Sequence, residues 1–109
     1  MATTYKVLAQ SAPSATTATN VYTVPSSTSA VVSTIVVANR AASPATYRLA
    51  VRPAGATLAN QHYIAYDVTV GASDSTTLTL GITLATTDVV TVYASTANLS
   101  FNVFGSEIS

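Results

Sequence analysis

The sequence predicts an all-β fold: an antiparallel β-sandwich, jelly-roll or immunoglobulin-like, of seven or eight strands. Three observations carry that expectation. Apolar and polar residues alternate with a period of two through residues 46–84, turn-forming clusters recur at regular spacing along the chain, and no stretch shows a helical period. At 109 residues the chain fits one domain, long enough for a real core. Within it, residues 1–20 read as an N-terminal strand with a polar arm, and residues 21–109 as the sandwich proper.

Residues 5–9 form a short first strand with Tyr5 and Val7 on one side and Lys6 and Leu8 on the other. Residues 10–20 are Ser, Ala and Thr around Pro13, a composition that favours an extended arm or loop. A strand over 21–24 is stopped by Pro25 and the Ser/Thr turn that follows it. Residues 30–39 are the most β-branched stretch, apolar on both faces, which suits a central or doubly covered strand.

The period of two is clearest over 46–53, 63–70 and 77–84. It places Tyr47, Leu49 and Val51, then Ile64, Tyr66, Val68 and Val70, then Leu78, Leu80, Ile82 and Leu84 on a core face. Pairing the first two as a hairpin sets Tyr47 opposite Val68, Leu49 opposite Tyr66 and Val51 opposite Ile64. The outward pairs are then Arg48 with Asp67, Ala50 with Ala65 and Arg52 with Tyr63, so an apolar face, a charge pair and a cation–π pair agree on one register. The loop at 71–75 reads as a tight reversal that extends the meander, with Val68 opposite Leu78 and Tyr66 opposite Leu80. Strands over 89–94, where Val90 and Val92 alternate with Thr91 and Tyr93, and over 99–104, where Leu99, Phe101 and Val103 alternate with Ser100 and Asn102, complete the set, followed by a short polar tail containing Glu107.

Composition bears on function mainly through charge. Only 7% of residues are charged and the formal net charge is +0. Ser and Thr, roughly 30% of the chain, take the surface positions that Lys and Glu normally hold. Soluble monomers use charge, above all Lys, to keep exposed strands apart, and this chain has a single Lys. The expectation is that other subunits cover much of the surface, in a homo-oligomer or a larger assembly. Without a basic excess, nucleic acid is not an expected partner. The outward faces carry small polar residues where a membrane barrel needs apolar ones, so no membrane is expected either. No secretory signal is visible at the N-terminus.

The search for chemistry yields little. Cysteine is absent, which removes disulfides, thiolate nucleophiles and Cys-based metal sites together. His62, the one histidine, has no identifiable partner constellation and reads as a polar loop or interface residue. Asp67, Asp74, Asp88 and Glu107 are scattered singly, without calcium-loop spacing, and Asp74 and Asp88 fall in turns where Asp bonds its own backbone. No enzyme, cofactor or metal is therefore expected. The candidates that remain are contact residues: Arg48, Arg52, His62, Tyr63, Asp67 and Tyr93, because aromatic residues and Arg on an otherwise small-residue face are what subunit interfaces favour. A carbohydrate platform would also use exposed tyrosines such as Tyr63 and Tyr93, but normally adds amide or carboxylate groups that are scarce on these strands.

Tyr22-Thr23-Val24-Pro25, the run Ala30 through Arg40, Tyr47 through Pro53 and Asn60 through Asp67 carry a resemblance, continued by Asp88 through Ser95 and by the stretch from Phe101 to Ile108. Together they resemble small virion structural proteins of tailed bacteriophages, notably those of marine cyanobacteria. The likeness is one of pattern over nearly the whole chain, without a catalytic motif. It implies a non-enzymatic β-sandwich present in many copies in the virion. The first expectation is a capsid decoration or cement protein bound to the major capsid protein; the alternative is a neck, tail or baseplate component bound to tail or neck proteins.

Overall fold

The computed structural model describes residues 2–109 as two four-stranded antiparallel sheets packed face to face. The strands are β1 (Thr3–Ser11), β2 (Thr19–Thr23), β3 (Ser29–Asn39), β4 (Ala45–Arg52), β5 (Tyr63–Val70), β6 (Ser75–Leu84), β7 (Val89–Ala94) and β8 (Leu99–Ile108). One sheet has the order β1-β8-β3-β6 and the other β2-β7-β4-β5. First pairs with last, second with second-last, and so inward to β4 and β5, the pairs alternating between sheets. That is one long hairpin rolled up on itself, the jelly roll; of the two sandwich types expected, the immunoglobulin-like one is set aside.

The core lies between the sheets. Val32, Ile35 and Val37 of β3 and Leu99, Phe101 and Val103 of β8 face Tyr47 and Leu49 of β4 and Val90 and Val92 of β7. The Tyr47 and Phe101 rings meet edge to face, centroids 6.2 Å apart.

The apolar residues on both faces of β3 have a local cause. Ala30 and Val32 point inward, a bulge at Ser33 inserts one residue against β8, and Ile35, Val37 and Asn39 then point inward with the opposite parity. The same fault crosses the sheet, with Leu8 as the extra residue on β1 and Leu80 and Gly81 together opposite Ser33 on β6.

Three expectations are corrected. β5 and β6 do not form a hairpin. The 71–74 turn carries the chain across the sandwich, where Ser73 N–H donates to Ala41 O and Asn39 N–H to Asp74 O, and β6 pairs with β3. The arm expected at 10–20 is shorter, because Gln10 and Ser11 continue β1 along β8 and Thr19 and Asn20 begin β2. The loop between is tied down by a bond from Thr16 N–H to Ala94 O. The tail is not a tail: β8 runs on to Ile108, and Glu107 accepts from the Tyr22 hydroxyl of the other sheet and from Lys6 Nζ at 3.1 Å. Burial and this bond raise the Tyr22 phenol well above its ordinary value, so it remains the proton donor.

Buried Asn39 fastens the loop end of the sandwich. Its amide nitrogen donates to the carbonyls of Ser43, Val70 and Gly71, and its oxygen accepts from Ala41 N–H. Asp74 and Asp88 hold turn backbone as expected. Asp74 accepts from Ser75 N–H, and Asp88 from Ala85 N–H and from Ala54 N–H.

Candidate functional site

The outer face of the second sheet gathers most of the expected contact residues. On β4, Arg48 lies directly opposite Tyr93 of β7. On its other side β5 bulges: Tyr47 pairs with Val68 and Leu49 with Ala65, so Tyr66 and Asp67 together face Arg48. Asp67 takes the left-handed conformation there, φ 51°, which Asp tolerates better than most residues. Its carboxylate accepts from Arg48 Nε at 2.7 Å and from Nη2 at 3.4 Å.

The guanidinium is also flanked by aromatic rings, its carbon 4.2 Å from the Tyr66 centroid and 4.3 Å from that of Tyr93. Tyr63 continues the cluster, edge to face with Tyr66 at 4.9 Å. At such a surface the cation–π contacts and the partly exposed ion pair are each weak, and they act by fixing the position of the group. Foremost through the bond to Asp67, the group is held firmly protonated. Arg48 is therefore a fixed centrepiece that orients two tyrosines.

The expected register holds at Tyr47 with Val68, and the Arg48–Asp67 pair forms. Beyond the bulge the register is different: Leu49 meets Ala65, Ala50 meets Tyr63, and the cation–π partners belong to Arg48 instead of Arg52. Arg52 bonds Thr91 Oγ1, Asn20 Oδ1 and the carbonyls of Gly55 and Ala56, which fastens the connection after β4 to the sheet. His62 stands in the turn before β5, where Nδ1 accepts from Ala59 N–H; that nitrogen has a structural partner.

Ile64, Tyr66 and Val68, all expected in the core, are solvent-exposed, Tyr66 by 56%; Ile64 and Tyr66 lie beyond the bulge, whereas Val68 keeps core-facing Tyr47 as its partner and is exposed at the edge of the sheet. Sequence reasoning missed these three. The signal was Asp67 itself, since Asp is depleted in strand interiors and is at home where the backbone leaves the strand conformation. Among the described residues, no group of three His, Cys, Asp or Glu side chains is placed to hold a metal ion. The concavities described are shallow and open, one beside Gln10 and Asn102 and one beside Thr28 and Thr86.

No protein-family model matches this chain, and no curated protein matches it. What the site presents is an Arg–Tyr cluster bordered by exposed aliphatic side chains on an edge strand.

Proposed function

We propose that this protein is a non-enzymatic structural component of a tailed-phage virion, in the first place a decoration or cement protein lying across neighbouring capsid subunits. One observation carries the assembly part of the reading. Across the four edge strands β1, β2, β5 and β6, Lys6 and Asp67 are the charged side chains, and both are held in ion pairs. Free strand edges without free charge invite pairing, and natural monomers guard against it. The exposed large apolar residues also stand on edge strands, Tyr5 and Val7 on β1 and Ile64, Tyr66 and Val68 on β5. The virion part rests on the sequence resemblance.

The mechanism is added interface. A contact of about 800 Å² per partner, centred on Tyr66, Ile64 and the Arg48 cluster, repeats over the shell and resists internal pressure collectively. Glycan binding is the weaker reading, because Arg48 already covers part of the Tyr66 and Tyr93 ring surfaces that a sugar would stack on.

The test is the copy number of this chain in purified particles, by quantitative mass spectrometry normalised to the major capsid protein. One copy per capsid subunit, or per few, supports decoration. About one per hundred moves the protein to the neck or tail, and absence from the particle overturns the structural reading. Ile64→Asp, at an exposed position, should reduce incorporation while leaving the circular dichroism spectrum unchanged.

A further inference from the structure

The first sheet presents a face of a different kind. None of the chain's eight charged side chains stands on the outer face of β1-β8-β3-β6. Glu107 turns inward to Tyr22 with Lys6 beside it; Arg48, Arg52 and Asp67 belong to the second sheet; and Arg40, Asp74 and Asp88 lie in connections. On the uncharged face, β1 stands out. Tyr5 is 85% exposed, and Val7, two residues on, is exposed beside it.

The ladder orders this face into rows. Tyr5 lies beside Ser106; Val7 beside Phe104, which continues to Thr34 and Thr79; and Gln10 beside Asn102. On β8, Ser106 and Asn102 are each two residues from Phe104, so the Tyr5 row and the Gln10 row are equidistant from the Phe104 row. The Gln10 row borders a hollow lined by Gln10, Ser11, Ala12, Ser100, Phe101 and Asn102. There Gln10 Nε2 donates to Asn102 Oδ1 at 2.8 Å, which leaves Gln10 Oε1 and Asn102 Nδ2 able to bond a further hydroxyl.

We propose that this face joins two copies of the chain across a two-fold axis lying along the Phe104 row, with Tyr5 of each copy seated in the Gln10–Asn102 hollow of the other. The occupant is a second copy because the arrangement is self-complementary. A two-fold contact requires that if residue i meets j, then j meets i, and equal spacing of the Tyr5 and Gln10 rows along β8 about the Phe104 row brings each Tyr5 to the border of the other copy's hollow. An uncharged face meets its own image without repulsion. Four strands about 4.8 Å apart and about nine residues long at 3.3 Å per residue give roughly 570 Å² before side-chain relief, which approaches the ~800 Å² per partner of stable interfaces. The pairing stands apart from the virion reading and can hold or fail without it.

Sedimentation velocity on the purified chain, with the mass fixed by light scattering, tests it. The wild type should have twice the 11.1 kDa chain mass at micromolar concentration. Tyr5→Ser removes the knob from an exposed position. Thr79→Lys, on the axis row, sets two like charges against each other. Each should raise the dimer dissociation constant at least about tenfold, with unchanged circular dichroism, whereas Ile64→Asp on the second sheet should leave it unaltered. Because the chain has no cysteine, Thr79→Cys on the axis row gives a positive readout, a disulfide between copies on oxidation with Tyr5 and its hollow intact. A monomeric wild type, a higher oligomer, a dimer dissolved by Ile64→Asp but not by Thr79→Lys, or a dimer without the cross-link would each overturn the proposal.

Discussion

Gly105 is the residue on which the bent first sheet depends most directly. It sits on β8 opposite Val32, at the step where Ser33 bulges out of β3. A Cβ at this position would lie 3.0 Å from the Val31 carbonyl carbon, closer still to its oxygen, and 3.1 Å from Leu8 Cδ1. Non-bonded heavy atoms are optimal at about 3.5–4.0 Å and the oxygen is the nearer atom, so β8 and β3 would have to part by about an ångström or more. The nearest obstructing atoms, the Val31 carbonyl oxygen and carbon, are backbone, which cannot rotate away as the Leu8 side chain can. Overpacking costs about 1–3 kcal/mol, and Gly105→Ala belongs at the upper end because β3 is the central partner of both β8 and β6. About 3 kcal/mol corresponds to a fall in Tm of roughly 12–20 °C for a domain of this size. Urea denaturation followed by far-ultraviolet circular dichroism and tyrosine fluorescence measures it. Gly81→Ala is the matched control, since nothing lies within 4 Å of the added methyl, and it should change stability by less than about 0.5 kcal/mol. If the two variants lose the same amount, or Gly105→Ala loses under about 1 kcal/mol, the close approach does not govern the bend.

Three polar groups, one half-buried and two buried, give further outcomes. The Glu107 carboxyl is held below its ordinary range, first by the Tyr22 hydroxyl and then by the Lys6 ammonium. A depressed folded value means that this stabilisation is complete above the unfolded value of about 4.3 and is lost as pH falls through the folded one. Glu107→Gln should therefore lower Tm at about pH 7, and the gap to wild type should close toward about pH 3 in a thermal melt series. Asn39→Ala leaves buried carbonyls without a donor and should cost about 3 kcal/mol in chemical denaturation. Asn39→Asp should cost more at neutral pH and recover partly in acid, since a carboxylate would face the oxygens of Ser43, Val70 and Gly71. The Tyr47 hydroxyl is buried without a hydrogen-bond partner, so Tyr47→Phe should be neutral or stabilising by up to about 1 kcal/mol; a loss of more than that would point to an unseen partner.

Much of the architecture was legible in the sequence because it depends on local pattern. The alternation of Leu78 through Leu84, of Val90 with Val92 and of Leu99, Phe101 and Val103 gave the inward faces, and Asp74 and Asp88 marked turns by the backbone bonds they make. The Arg48–Asp67 pair was legible because opposite charges can select a register. What did not show was long-range order. A meander and a jelly roll use the same strands, and the choice between them rests on which strand β6 joins after the 71–74 turn, a contact between residues far apart in the chain. Glu107 looked like tail for the same reason, since its partners are Lys6 and Tyr22.

The candidate site was half legible, and the missing half comes from two irregularities of β5, the bulge opposite Arg48 and a second register shift at Ile64. In a strand, one surplus residue exchanges the two faces for everything beyond it. Without the bulge at Asp67, Tyr66 and Ile64 would face the core as their period of two implies, and Arg48 would lose one of its two flanking rings. With it, Ala65 fills the core position and the larger side chains turn to solvent. Burying Ile64 and Tyr66 would contribute about 1.5–3 kcal/mol each, so their exposure forgoes stability that a monomer could have used. The carboxylate that holds the bulged residue to Arg48 thus ties the geometry of the contact surface to one ion pair, and a partner that covers Ile64 and Tyr66 recovers burial that the fold itself leaves unused.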